Sequence, residues 1–210
     1  MEYEVRYYFP IEKLEQIISK LQKFSNLDSS ERCYEKTIQF DHPNAENTFY
    51  SKEIDGRFRV RITKGEKKSK CKVSWKRRIP TTHINDVNKE EEVELTIKLD
   101  EYENLMFIIN NVLKMKSIES YERYRTIFTN EDVEISVDEY PFGIALEIEN
   151  KSNDKNPEVV VKKWIELLGL NIKDAYRLSW DDKYSELCKD QGIEHYNHVA
   201  FGLPMPKVKE

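Results

Sequence analysis

The chain has 210 residues, of which 73 are charged, about a third against the usual quarter, while Gly and Pro together number thirteen and the net charge is −5. That length suits one domain with a sizeable core, and twenty-four aromatic residues exclude a chain that stays disordered. No run approaches the roughly 18 apolar residues of a membrane span, and MEYEVRYYF lacks the marks of a signal peptide, so a cytoplasmic protein with no membrane partner is expected.

Alternation of apolar and polar residues predicts eight antiparallel strands: Glu2 to Phe9, Tyr34 to Phe40, Gly56 to Thr63, Lys70 to Arg78, Glu91 to Ile97, Glu122 to Phe128, Val133 to Glu139 and Ile144 to Glu149. Ile11, Leu14, Ile17, Ile18 and Leu21 recur at helical spacing after Pro10. A second helix is expected from Tyr102 to Lys114, and a third begins after Pro157 and closes at Gly169; Asp174 to Asp190 reads as a fourth, shorter helical segment. The segments from His42 to Asn47, Ile79 to Asn88 and Lys151 to Pro157 read as polar loops. Residues 1–191 are taken as the domain and 192–210 as a tail, in which Pro204 and Pro206 exclude a regular helix. Cys33, Cys71 and Cys188 include no Cys-x-x-Cys and read as ordinary thiols, and His42, His83, His195 and His198 carry no assigned chemistry.

Charge is segregated. Arg57 to Arg78 holds eleven bases and one acid, and Glu131 to Glu149 holds seven acids and no base, yet both blocks alternate with apolar residues. Residues two apart on a strand share a face. Glu2, Glu4 and Arg6 therefore share one, as do Arg57, Arg59 and Arg61; Lys70, Lys72 and Lys76; Glu90, Glu92 and Glu94; Arg123 and Arg125; Glu134 and Asp138; and Glu147 and Glu149. The other face is apolar: Val5, Phe58, Val60, Ile62, Cys71, Val73, Trp75, Val93, Leu95, Tyr124, Ile135, Val137, Leu146 and Ile148.

An ionic face turned to water is the ordinary arrangement of antiparallel strands. A lone acid-x-acid motif decides nothing, since chance supplies about seven in such a chain. The succession of signs, acidic, basic, basic, acidic, basic, acidic, acidic, suits another arrangement, a barrel with a charged lumen and three helices over its apolar outside. Converging Lys and Arg call for a polyanion, because guanidinium forks match phosphate oxygens. Carboxylates beside phosphates call for a hard divalent cation, Mg²⁺ or Mn²⁺.

The order of these motifs resembles the CYTH superfamily, the triphosphate tunnel metalloenzymes. Glu2-x-Glu4-x-Arg6 is similar to its Glu-x-Glu-x-Lys signature, followed in order by FRVRI, KCKVSWKRR, EEEVEL, YERYR, SVDEYPFGIALEIE and YRLSWDDKYSEL. The resemblance implies an α+β fold, an eight-stranded antiparallel β-barrel forming a triphosphate tunnel with flanking helices. It also implies divalent-metal-dependent hydrolysis of tripolyphosphate, thiamine triphosphate or a nucleoside triphosphate. The alternatives are an adenylate cyclase releasing pyrophosphate, and a non-catalytic polyphosphate sensor.

Carried over by position, Glu2, Glu4, Glu147 and Glu149 would hold metal. Arg57, Arg59, Arg61, Lys70, Lys72, Lys76, Arg123 and Arg125 would hold phosphates, and Arg6, Glu92, Glu94, Asp138 and Arg177 would act in catalysis. Arg6 departs from the signature's lysine. The C-terminal base is Arg177 or Lys183, with Arg177 preferred for its place just before Ser179 and Trp180. A small triphosphate is the expected partner of a monomer or homodimer. No nucleic acid is expected beyond an RNA 5′-triphosphate end, because the basic block is assigned to the lumen.

Overall fold

The computed structural model describes residues 3–51, 55–79 and 89–209. The elements in chain order are β1 (Glu4–Phe9), α1 (Leu14–Leu21), β2 (Asp28–Ser29), β3 (Cys33–Asp41), β4 (Gly56–Lys64), β5 (Ser69–Ile79), β6 (Lys89–Ile97), α2 (Tyr102–Phe107), β7 (Lys116–Thr129), β8 (Val133–Tyr140), β9 (Gly143–Asn150), α3 (Pro157–Leu167), α4 (Trp180–Gln191) and β10 (His198–Val199). The protein is thus α+β, with ten strands and four α-helices among the described residues. The eight expected strands are all present, joined by the two-residue β2 and β10, which are too short to show alternation. No ladder closes the sheet among the described residues, so the closed barrel is not part of the described fold. Glu2 and His83 lie outside the described residues.

The chain forms two compact units, one of Cys33–Glu122 and one of Glu2–Arg32 with Arg123–Glu210. In the first, β3, β4, β5 and β6 pair in that order, all antiparallel. Phe40, Val60, Cys71 and Ile109 form its core, with Phe58, Ile62, Tyr102, Leu105 and Met106 packed against them, so α2 and the π-turn Ile108–Val112 after it cover one sheet face. Burial there follows the apolar parity of the strands. Gly56 opens β4 where a Cβ would stand 2.3 Å from the Trp75 ring, a close approach only glycine tolerates.

The apolar face is not covered throughout. Val93 is 59% and Leu95 64% exposed on β6, beyond the reach of the short α2, which corrects the expectation that helices blanket this side.

In the second unit β1 pairs with β9, β9 with β8 and β8 with β7, again antiparallel. Val5, Ile135, Val137, Leu146 and Ile148 turn one way and pack under α1 and α3 through Leu14, Ile17, Leu21, Val161, Trp164 and Ile165. Asn156 caps α3, accepting from the Glu158 amide, with Pro157 in its first turn, and Gly169 follows at φ +60°. The other strand face is ionic. The tail after α4 docks in this unit, since Val199, Ala200 and Met205 are buried and the Val208 amide donates to the Phe142 carbonyl.

Candidate functional site

Each unit carries an ionic cluster on its sheet, and each follows from strand register. In the first unit, antiparallel pairing sets Gln39 against Arg59, Arg59 against Ser74 and Ser74 against Glu94, and beside that row Arg57 against Lys76 and Lys76 against Glu92. Arg61 stands between Thr37 and Lys72. The β4 and β5 bases therefore share one face with the β6 acids, as parity predicts.

The pairings within this cluster are specific. Arg59 Nη2 donates to Glu92 Oε1 at 3.3 Å, Lys76 Nζ lies 3.7 Å from Glu92, and Lys72 donates to Glu94. Arg57 lies 3.7 Å from Asp55. Arg61 Nε donates to Thr37 Oγ1 at 3.0 Å and its Nη2 to the Tyr121 hydroxyl at 3.2 Å, while Glu35 accepts from Thr63 Oγ1 and stands 3.9 Å from Arg61. Glu35, Thr37 and Tyr121 were not singled out from the sequence. The alternation Glu35-x-Thr37-x-Gln39 was the available signal.

Arg59 is electrostatically unlike the rest. Its Nε is buried with no hydrogen-bond partner among the described residues. Burial, aided by the neighbouring Arg61 and Arg57, pulls its pKa down against the opposing effects of Tyr121 and Glu92. Glu92 is its ion-pair partner among the described residues. Lys70, by contrast, is exposed near the end of the β4–β5 hairpin and is not drawn into the cluster.

In the second unit register sets Arg6 opposite Glu147, Glu147 opposite Ser136, and Asp138 opposite Arg125. Glu147 Oε1 accepts from Arg6 Nε at 2.6 Å and Oε2 from Arg125 Nη2 at 3.0 Å. Asp138, fully buried, takes both Nε and Nη2 of Arg125 at 2.5 Å and Nη1 of Arg123 at 2.8 Å. Burial pushes the Glu147 carboxyl up, but Arg6, Arg125 and Arg123 outweigh it and hold the group well below the usual carboxylate range. Burial likewise lowers Arg6 and Arg125 before their carboxylate partners raise both above the ordinary arginine value.

The remaining acids form a neighbouring row, linked to this cluster by Arg6 Nη2, 3.5 Å from Glu4 Oε1. Glu4 stands directly opposite Glu149, and Glu149 opposite Glu134. Like charges directly opposed on a sheet repel. Three hard oxygen donors in a row suit Mg²⁺ or Mn²⁺ by chemistry, although no three ligands converge on one point among the described residues. Glu147, expected beside them, is instead taken up by two arginines.

Packing separates the two candidates for the C-terminal base. Arg177 is exposed, whereas Lys183 Nζ lies 5.1 Å from the Tyr176 ring and 6.0 Å from the Tyr8 ring. The Tyr176 amide donates to the Arg6 carbonyl at 2.7 Å, and Arg6 Nη1 donates to the Leu178 carbonyl at 3.1 Å, which ties this segment to β1. Ser179 and Asp182 form a capping box that starts α4, so Lys183 falls on its first turn. Of the two candidate bases, Lys183 is the one packed beside Tyr8 and Tyr176.

No family model matches the sequence, and no curated protein matches it. Solved structures do. The PH1819 protein of Pyrococcus horikoshii is 24% identical with a TM-score of 0.62, covering 89% of this chain and 99% of that one. A candidate adenylate cyclase of Vibrio parahaemolyticus is 15% identical with a TM-score of 0.60, covering 87% and 98%. HpAC1 of Hippeastrum, described as a candidate adenylyl cyclase with a dominant triphosphatase activity, is 17% identical with a TM-score of 0.57, covering 94% and 99%. At these identities the likeness is one of fold.

Proposed function

We propose that this protein hydrolyses a small triphosphate with the help of a divalent cation. The observation that carries the reading is Arg59, a buried guanidinium with a partnerless Nε among Arg57 and Arg61, where an anion would restore the balance of charge. Arg57, Arg59, Arg61, Lys72 and Lys76 are the phosphate-binding side chains of the first unit, and Glu92 and Glu94 orient them through the pairs described. In the second unit Arg6, Arg123 and Arg125 are held in fixed positions by Glu147 and Asp138, so their forks are preorganised for phosphoryl oxygens.

Glu4 and Glu149, joined by Glu134, are the residues that would hold Mg²⁺ or Mn²⁺. A bound divalent cation supplies neutralisation of charge on phosphoryl oxygens. Asp138 is a positioning residue for Arg123 and Arg125, because both of its oxygens already accept from arginine. The closed eight-stranded barrel is part of this reading, as the resemblance implies.

The description of the Hippeastrum neighbour, whose triphosphatase activity is dominant, supports hydrolysis ahead of cyclisation. The cyclase neighbours keep adenylate cyclase as the second reading. The deciding experiment incubates the protein with tripolyphosphate, thiamine triphosphate and ATP under Mg²⁺ and Mn²⁺ and separates the products. Orthophosphate is expected. Pyrophosphate with cyclic AMP would establish the cyclase instead, and tight binding without turnover would leave a sensor.

A further inference from the structure

Tyr8 follows Arg6 by two positions on β1 and so lies on the ionic face, opposite the small Ala145, which is itself opposite Asp138. Its ring packs edge-on against Tyr176 at 5.3 Å and tilted against Phe142 at 6.2 Å, with Lys183 above it. Its hydroxyl is buried and has no hydrogen-bond partner among the described residues. A buried donor left unmade is costly, so a partner is called for.

The carboxylates that share this face are turned to arginines. Both Glu147 oxygens accept from Arg6 and Arg125, and both Asp138 oxygens accept from Arg123 and Arg125. What would complement Tyr8 is therefore an acceptor-only ligand arriving among Arg6 and Lys183, and phosphoryl oxygens meet that description. Burial keeps the phenol protonated far above the working range, so it remains a donor. Tyr7 provides a contrast: its hydroxyl is also partnerless, but its side chain lies on the apolar face in the core beneath α1 and α3.

We propose that the Tyr8 hydroxyl is a hydrogen-bond donor to the phosphate chain of the ligand, a contact that adds to Arg6 in recognising it. This rests on the triphosphate reading above. The test measures tripolyphosphate binding by calorimetry and thermal unfolding of the free protein, for wild type, Tyr8→Phe and Tyr7→Phe.

Expected is a free Tyr8→Phe protein at least as stable as wild type, since a partnerless polar group is removed, with tripolyphosphate affinity about tenfold weaker. Tyr7→Phe is expected to bind as wild type does. Unchanged affinity in Tyr8→Phe would overturn the proposal, as would a loss of stability in its free form, which would make the hydroxyl structural. If wild type itself failed to bind tripolyphosphate, the functional reading would fall and this inference with it, whereas tight wild-type binding with an indifferent Tyr8→Phe removes the inference alone.

Discussion

Arg6 and Glu147 stand directly opposite each other on neighbouring antiparallel strands, and Arg6 Nε donates to Glu147 Oε1 at 2.6 Å. The same carboxylate accepts from Arg125 of β7. One acid thus joins three strands of the second unit, and it shares the charge balance of Arg6 with Glu4 and that of Arg125 with Asp138.

Glu147→Gln keeps the shape and removes the charge, leaving Arg6 with the longer 3.5 Å pair to Glu4 and Arg125 with Asp138 as its carboxylate partner. Breaking a buried pair from one side costs on the order of 3 kcal/mol. Urea denaturation of the metal-free variant is expected to show a lower midpoint with an unchanged slope.

The depressed Glu147 pKa fixes the sign of an acid effect. Arg6, Arg125 and Arg123 outweigh burial and favour the ionised form in the folded state, whereas the unfolded carboxyl titrates near about 4.3. The stabilisation is therefore full above that value and is lost as pH falls below it toward the folded pKa, because the unfolded chain binds the proton more readily. Glu94 acts in the same direction, its pairing with Lys72 outweighing burial. Metal-free wild type is expected to lose stability below about pH 4.5, and Glu147→Gln to do so less steeply; parallel curves would remove Glu147 as the cause.

Lys183 and Arg177 separate by activity. Lys183→Ala removes an ammonium held over Tyr8 and Tyr176, and is expected to lower kcat/KM for the triphosphate by about tenfold or more, the worth of one hydrogen bond to a charged group. Arg177→Ala, at an exposed position, is expected to stay close to wild type. The opposite order would assign the role to Arg177.

Ile148 and Leu95 test where the core lies. Ile148 is fully buried under α1 and α3, so Ile148→Ala is expected to cost about 2 to 5 kcal/mol. Leu95→Ala, in a residue 64% exposed, is expected to change stability by less than about 0.5 kcal/mol. Thermal unfolding of the two variants gives both values.

The strands were legible because side-chain direction alternates with a period of two, so one pass for parity identified the ionic and apolar faces of β1, β4, β5, β8 and β9. The same rule extended one step further would have included Tyr8 after Glu4 and Arg6, and Glu35 and Thr37 on β3. These went unremarked because a tyrosine or threonine among charges carries no sign to follow. Val93 and Leu95 have the right parity for a core but lack a helix above them, and parity cannot tell whether a partner element reaches that far.

The sequence by itself determined which residues share a face, which stretches are helical, and that bases and acids fall in separate blocks, although α2 ends at Phe107 rather than Lys114 and α4 begins at Trp180 rather than Asp174. Those are local consequences of backbone geometry. Tertiary structure alone decided which charge meets which: that Glu147 serves Arg6 and Arg125, that Arg59 keeps a partnerless Nε, and that Lys183 rather than Arg177 packs beside Tyr8. Pairing depends on register and on burial, and both are set by contacts between residues far apart in the chain.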